Sequence, residues 1–431
     1  MGGGGEDGNT AYFIAVKQAN DSQGSAGTYP NAVKDFFASD CPARACPDRT
    51  PFWCPPPLTP QPQTSLFLIP EFSKRRERLF RELRDRKLPN LLVTCPYNVT
   101  YLTGFTGEDG YLFVNKDTIT ILSDARYEEQ LQQECPLDSI FIRGATITMI
   151  DATAKWLATQ PVSEVCVESQ SITLAQWEKL TGQVDKIRFS SCSGVIEQLR
   201  ERKDASEIEA IERAISIAER SFVSVRALLT GDMSEKSVAD QLEFSIRKLG
   251  GTGSAFKSIV GVGSRAALPH GRPSAKRIEE DAFVLIDWGA KENLYLSDIT
   301  RVIITGKATA KFQKIYQTVL AAQEAAIRAI RPGIVMSEVD AIARGIIEKA
   351  GFGKRFTHSL GHSFGLQIHE SVRLAKGQQR PLEADMVVTV EPGIYIPGVA
   401  GVRIEDDVLV TKSGNRVLTS LPKQWDEIQP W

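Results

Sequence analysis

Apolar residues recur along most of the chain at helical or strand spacing, and they do so in three stretches of different character. Over residues 1–70 no period of 2 or 3.6 is sustained, apart from a short apolar patch at Tyr12 to Val16. From Phe72 to Leu88 the pattern becomes that of a basic amphipathic helix, with Leu79 and Leu83 on one face. A strand at Leu91 to Thr94 follows, then a hairpin-like pair, Tyr111–Val114 and Thr118–Leu122. Helices and strands alternate to about residue 196, which predicts a compact α/β domain over residues 71–200 with a mixed sheet.

Past Asp204 the plan changes. Asp204 is placed to cap a long helix whose apolar residues Ile208, Ile211, Ile215, Ala218 and Phe222 fall at spacings of 3 and 4. That helix ends near Gly231, and a second opens at Met233-Ser234-Glu235 and stops at Gly250-Gly251. The same order returns about 100 residues later, with a helix through Tyr316, Leu320 and Ile327, then Met336-Ser337-Glu338 opening another that stops at Gly351. Each helix pair precedes a pair of strands, Ala282–Trp288 with Leu296–Thr305 in one half and Met386–Val390 with Val402–Thr411 in the other. Residues 201–431 therefore read as two related halves, and the whole chain as an α+β protein of two folded domains behind a Gly-, Ser- and Pro-rich extension, residues 1–70, expected to be disordered or weakly docked.

Composition narrows the classes of function. The chain has 431 residues with 51 basic and 53 acidic side chains, a formal charge of −2 that lends no support to nucleic-acid or membrane-surface binding. The basic run Lys74-Arg75-Arg76 is expected to be a solvated helix face. No apolar run reaches the ~18–20 residues of a membrane span, and the N-terminus lacks a signal peptide's basic and apolar regions. The 7 cysteines are scattered, and none follows Cys192, as suits a reducing compartment; the expected location is the cytoplasm. Cys41, Cys46 and Cys54 are too irregularly spaced for a zinc knuckle.

Histidine is scarce, and its placing points to chemistry. Of 4 in the chain, His358, His362 and His369 form an H-x3-H-x6-H cluster, and His270 precedes the first carboxylate hairpin. Asp287 and Asp298 lie on the two strands of one half, and Glu391 and Glu405 on those of the other. Buried carboxylates that converge repel one another unless cations neutralise them. Gly361 and Gly365 argue against a helical zinc-protease motif and for a strand or loop that turns His362 inward. An oxygen-rich set with one imidazole suits Mn²⁺, Co²⁺, Fe²⁺ or Zn²⁺, and four carboxylates suit two ions ~3.5–4 Å apart, an arrangement that does hydrolytic chemistry.

At these residues the sequence resembles the pita-bread metallopeptidases, in the branch of Xaa-Pro aminopeptidases and prolidases, from about residue 72 to the end. The resemblance is carried by Asp287-Trp288-Gly289 with Ser297-Asp298-Ile299-Thr300-Arg301, by the histidine cluster with Glu370, and by Glu391-Pro392-Gly393-Ile394-Tyr395 and Gly401-Val402-Arg403-Ile404-Glu405-Asp406-Asp407. Leu268-Pro269-His270 resembles the family's upstream substrate histidine, and Asn98-Val99-Thr100-Tyr101 and Ser123-Asp124-Ala125-Arg126 a creatinase-type N-terminal domain. The resemblance implies a pita-bread fold for residues 201–431 and cleavage of the bond between an N-terminal residue and a following proline by a metal-bound hydroxide. It implies Asp287, Asp298, His362, Glu391 and Glu405 as ligands of two ions, Mn²⁺ foremost, with Asp298 and Glu405 bridging and Glu391 also general base. His369 and His270 would hold the substrate carbonyl, His358 would line the pocket near the proline ring, and Arg403 would orient Glu405 or the substrate. The substrates implied are small peptides with proline second, and the assembly a homodimer or homotetramer. Other members of the fold are methionine aminopeptidases, which commonly lack the N-terminal domain, metal-free creatinase-like C–N hydrolases, and non-enzymatic binding proteins, which have lost ligands. One departure stands out: the family's Gly-His-Gly-Ile-Gly run is here Gly361-His362-Ser363-Phe364-Gly365, which predicts added bulk beside the ligand.

Overall fold

The computed structural model describes residues 12–14 and 69–429 except 117, 136 and 138. The reading of Cys41, Cys46 and Cys54 and most of the expected extension lie outside the described residues. Its apolar patch does supply a strand, β1 (Tyr12–Ile14).

The N-terminal lobe begins with α1 (Ile69–Asp85), β2 (Asn90–Val93), α2 (Pro96–Thr103), β3 (Gly110–Asn115) and β4 (Thr118–Asp124). It continues through α3 (Glu128–Glu134), β5 (Ser139–Arg143), α4 (Met149–Thr159), β6 (Glu164–Glu168), α5 (Leu174–Gly182), β7 (Arg188–Cys192) and α6 (Val195–Glu201). Its strands form one mixed sheet in the order β1-β5-β4-β3-β2-β6-β7. The β3–β4 hairpin is antiparallel, whereas β2, β6 and β7 run parallel through helical crossovers. Leu79 and Leu83 of α1 are buried against one face, as their spacing predicts. The basic run departs from expectation. Lys74 is solvated, but Arg75 is buried, donating to Asp204 Oδ2 at 2.7 Å and to the Tyr101 carbonyl at 3.2 Å. A charge that reads as surface from the sequence instead ties the two lobes together.

The C-terminal lobe opens with α7 (Ala205–Leu228) and α8 (Glu235–Lys248). Asp204 caps α7 with a reciprocal box, accepting from Glu207 N at 3.0 Å while Glu207 Oε2 accepts from Asp204 N at 2.9 Å. The strands of this half are β8 (Gly253–Ser254), β9 (Ile259–Val262), β10 (Phe283–Trp288), β11 (Ala290–Glu292), β12 (Tyr295–Leu296) and β13 (Ile299–Ile304). The second half repeats the plan with α9 (Ala310–Ala329) and α10 (Met336–Lys349), then β14 (Gly361–His362) and β15 (Arg373–Leu374). It closes with β16 (Val387–Val390), β17 (Gly393–Ile396), β18 (Ala400–Arg403), β19 (Asp406–Val410) and β20 (Asn415–Val417). Trp288 is fully buried, stacks on Phe222 of α7 at 4.6 Å and donates its indole N–H to the Ala218 carbonyl, which fixes the end of β10.

Two expected strands are broken. Leu296–Thr305 divides at Ser297-Asp298 because β12 pairs with β11 whereas β13 pairs with β10. Val402–Thr411 divides at Ile404-Glu405 because β18 pairs with β17 and β19 with β16. The two breaks meet, since Thr300 and Glu405 form an isolated bridge. Asp298 and Glu405 thus stand at joints where a chain changes partner, not within continuous strands. No described helix is long and apolar enough to cross a membrane.

Candidate metal centre

Backbone crowding brings the acids together. At Gly289, just after Asp287-Trp288, a Cβ would lie 1.8 Å from the Ser297 carbonyl, so only glycine lets the turn that leads back to Asp298 pass so close. At Gly361 a Cβ would lie 1.9 Å from the Thr389 carbonyl, which presses β14, and with it His362, onto β16. The outcome is a buried group in which carboxylate oxygens of Asp287, Asp298 and Glu405 all lie within 4.8 Å of one another. His362 Nε2 reaches Asp298 Oδ2 at 3.6 Å and Glu391 Oε1 at 3.4 Å. The five residues singled out as ligands therefore share one site at the seam of the two halves.

Hydroxyl and backbone groups orient the acids. Thr300 Oγ1 donates to Glu405 Oε2 at 2.6 Å, and Thr389 Oγ1 donates to Glu391 Oε1 at 3.2 Å. Asp407 Oδ2 accepts from the Asp298 backbone N–H at 3.2 Å. Arg403 forms an ion pair with Asp287, donates to the Tyr395 hydroxyl at 2.7 Å, and donates from Nε to Thr300 Oγ1 at 3.1 Å. It therefore meets Asp287 directly and Glu405 through Thr300. His358 Nε2 lies 2.9 Å from the Tyr395 hydroxyl, and its Nδ1 lies 3.9 Å from Glu391 Oε2. The His369 ring packs edge-on against His362 with centroids 4.4 Å apart. His270 is exposed on the loop after Ala267, near enough for its charge to act on Asp287, His358 and His369.

Thr300, Tyr395 and Asp407 stand inside the motifs that carry the resemblance but had no role assigned from sequence, and Thr389 lies outside those motifs altogether. Strand alternation offers a signal for some of them: Thr389 stands two residues from Glu391, and Asp407 two from Glu405. The bulk expected beside His362 lies elsewhere. Ser363 and Phe364 are fully buried; Ser363 Oγ accepts from Val372 N, and Phe364 packs into the hydrophobic core.

Electrostatics separates these acids from ordinary buried ones. Burial raises Asp298 and Glu405 well above the usual carboxylate range, and repulsion from neighbouring acids adds to it. Burial likewise raises Asp287 and pushes Glu391 up to about 8, against the opposing charge of Arg403. Burial lowers His362 to about 3 and His358 to about 4, so both imidazoles are neutral and able to ligate or accept. Asp287 Oδ1 is buried without a hydrogen-bond partner among the described residues. An orphaned carboxylate oxygen, converging acids and a neutral imidazole make a donor set that fits a hard or borderline divalent cation.

Residues 209–412 match metallopeptidase family M24, and residues 75–202 match the creatinase/prolidase N-terminal domain. The uncharacterized peptidase YqhT of Bacillus subtilis is 37% identical over 337 residues, which cover 78% of this chain and 95% of its own. The chain belongs to metallopeptidase family M24. As a member it is a hydrolase that requires divalent metal, with the pita-bread fold in its C-terminal lobe. Among solved structures, the Xaa-Pro dipeptidase from Bacillus anthracis is 37% identical with a TM-score of 0.78, over 82% of this chain and 99% of its own. The X-Pro aminopeptidase from Thermotoga maritima is 33% identical with a TM-score of 0.74, over 80% and 99%.

Proposed function

We propose that this chain is an exopeptidase that cleaves between an N-terminal residue and a following proline, with two divalent ions, foremost Mn²⁺, held by Asp287, Asp298, His362, Glu391 and Glu405. The observation that supports this most is the convergence of those five side chains beside a wall formed by His358, Tyr395 and Arg403. When bound, such ions lower the pKa of water and polarise a carbonyl oxygen. The chain's own groups do the rest. Glu391, aimed by Thr389, takes a proton from the attacking water and returns it to the proline nitrogen as the C–N bond breaks. His369 and His270 donate to the carbonyl oxygen as negative charge develops there. His358 and Tyr395 flank the proline ring, which carries no N–H to recognise and so is selected by shape. Arg403 holds Asp287 and, through Thr300, Glu405. The protein is expected to act in the cytoplasm as a dimer or tetramer, on dipeptides or on longer peptides.

The test is a metal-stripped and reconstituted assay on Xaa-Pro dipeptides, longer Xaa-Pro peptides and a methionyl peptide without proline. Mn²⁺- or Co²⁺-dependent release of the N-terminal residue from either proline series is expected, and their ratio separates dipeptidase from aminopeptidase. No release from either, or release from the methionyl peptide alone, overturns the proposal. Glu391→Gln should lower kcat by at least about a thousandfold in a folded protein, in keeping with loss of a general base and ligand together.

A further inference from the structure

His369 has a role that demands aim and a side chain that is poorly held. Its ring is exposed, packs edge-on against His362 and feels the charges of Arg373 and His270, but no hydrogen bond or ion pair among the described residues fixes its direction. Its direction is therefore set by the backbone that carries it. That backbone is a tight loop in which Ser363 N donates to the Val372 carbonyl at 2.9 Å and Glu370 N to the Ser363 carbonyl at 2.8 Å.

The next side chain, Glu370, turns into the seam between the lobes. Its Oε1 accepts from Arg200 Nη2 at 2.5 Å and its Oε2 from Lys203 Nζ at 2.6 Å. All three side chains are buried, at 2% exposed for Arg200, 1% for Lys203 and 4% for Glu370. Arg200 belongs to α6 and also holds Gln367 Oε1 at 3.0 Å and Asn98 Oδ1 of α2 at 2.9 Å. The ion pairs lie on bare backbone, since a Cβ on Gly365 would stand 3.1 Å from both Glu370 Oε1 and Lys203 Nζ. A cavity of about 400 Å³ opens beside them, lined by His369 and Glu370 together with Cys95, Glu168 and Glu197 of the N-terminal lobe. Phe364 and Leu366 seat the start of the loop in the core, but Gln367, His369 and Glu370 face the cavity, so at this end the loop has space to move into and the ion pairs of Glu370 hold it. Burying three charges is a costly way to gain stability that an apolar contact would supply as well.

We propose that Glu370, anchored by Arg200 and Lys203, is the positioning residue that aims His369 at the substrate, so that the N-terminal lobe acts on catalysis within the same chain. This rests on the role given to His369 under the proposed function. A displacement of about 1 Å at such a group costs about a hundredfold in rate.

The experiment is a kinetic cycle on the Mn²⁺-loaded full chain with His369→Ala, Glu370→Gln, Glu370→Asp and the double variant His369→Ala/Glu370→Gln. Glu370→Gln should lose about a hundredfold in kcat with KM and Mn²⁺ content within about threefold of the parent. Glu370→Asp, which keeps a charge between the two cations, should recover at least about a tenth of the parent rate. In the His369→Ala background the Glu370 change should add less than about threefold, because a residue that acts through another has nothing left to act on. A fully multiplicative loss in the double variant, or a parental kcat in Glu370→Gln, overturns the positioning role alone. A parental kcat in His369→Ala overturns the reading of His369 and the positioning role with it. If Glu370→Gln does not fold, the same cycle with Lys203→Met, which removes one of the two anchoring cations, decides by the same criteria.

Discussion

Glu405 and Asp406 are consecutive, equally buried carboxylates on the two sides of one joint, and their surroundings are opposite. On the side of Asp406, Arg301 Nη2 donates at 2.7 Å, Gln323 Nε2 and Thr419 Oγ1 each donate at 2.7 Å, and Lys423 forms a further ion pair. Burial works against ionisation there, yet Arg301 and Lys423 hold Asp406 well below the usual carboxylate range. On the side of Glu405 stand Asp287, Asp298 and Glu391, with Arg403 already committed to Asp287, and burial and repulsion drive the acids upward. The desolvation is alike on both sides; what differs is the supply of positive charge. Asp406 is finished by the protein itself and holds α9 and the C-terminal segment to β19. The Glu405 side has no cationic side chain left to balance its acids among the described residues, which is why one acid reads as architecture and the other as a candidate cation site.

The most severe test of this contrast is Asp406→Asn. Removing one partner of a buried, hydrogen-bonded pair leaves Arg301 and Lys423 uncompensated, at a cost of about 3–5 kcal/mol. Urea unfolding of the metal-free protein should show that loss. A change below about 1 kcal/mol would mean that Asp406 is no better satisfied than Glu405, and the contrast would fail.

Much of this site was legible before any coordinates because its parts depend on local pattern. The cap at Asp204 places the start of α7 to the residue, and the spacing of Ile211, Ile215, Ala218 and Phe222 carries it to within two turns of its end at Leu228. The scarcity of histidine makes the 358–369 cluster stand out, and the four acids recur in matching places of two halves. What was not legible depends on partners far away in sequence. The apolar-rich runs continue through Ser297-Asp298 and through Ile404-Glu405, so nothing local marks the change of pairing; the Thr300–Glu405 bridge, 105 residues apart, imposes it. Arg75 shares a basic run with the solvated Lys74, and only Asp204 across the lobes draws it inside. Bulk at Ser363 and Phe364 was visible, but its direction was not, because a two-residue strand carries too little alternation to tell inside from outside.

Glu168 in the N-terminal lobe stands between the two extremes and sharpens the comparison. It has no cation partner among the described residues, but its Oε2 accepts from the backbone N–H of Thr94 at 2.8 Å and of Cys95 at 2.9 Å, and its Oε1 from Asn98 Nδ2 at 2.7 Å. Burial outweighs these bonds and pushes it up to about 7. A carboxyl whose folded value exceeds its unfolded value of about 4.5 favours folding fully below that value, and the advantage is lost as pH rises through about 7. Between pH 5 and pH 8 the protein should lose about 2 kcal/mol on this account. Glu168→Gln, which keeps an amide oxygen for the backbone donors, should flatten its stability profile by that amount relative to the parent. An unchanged profile would place Glu168 with Asp406, and backbone donors would then count as fully as cations.

The smallest effect comes from removing charge where it is already in excess. Asp298 is raised first by burial and then by Glu405, Asp287 and Glu391, so in metal-free protein its negative charge opposes folding. Asn fills nearly the same volume, leaves the Asp407 bond to the backbone N–H of residue 298 in place, and takes away only the charge. Metal-free Asp298→Asn should therefore be about 1 kcal/mol more stable than the parent at pH 8, the reverse of Asp406→Asn. With saturating Mn²⁺ the order should invert, because the parent gains binding free energy that the variant, one ligand short, cannot match. Paired thermal melts with and without the ion read both signs in one experiment. Were Asp298→Asn to destabilise the metal-free protein as Asp406→Asn does, the acids at the seam would be satisfied internally, and the charge deficit that calls for a cation would not exist.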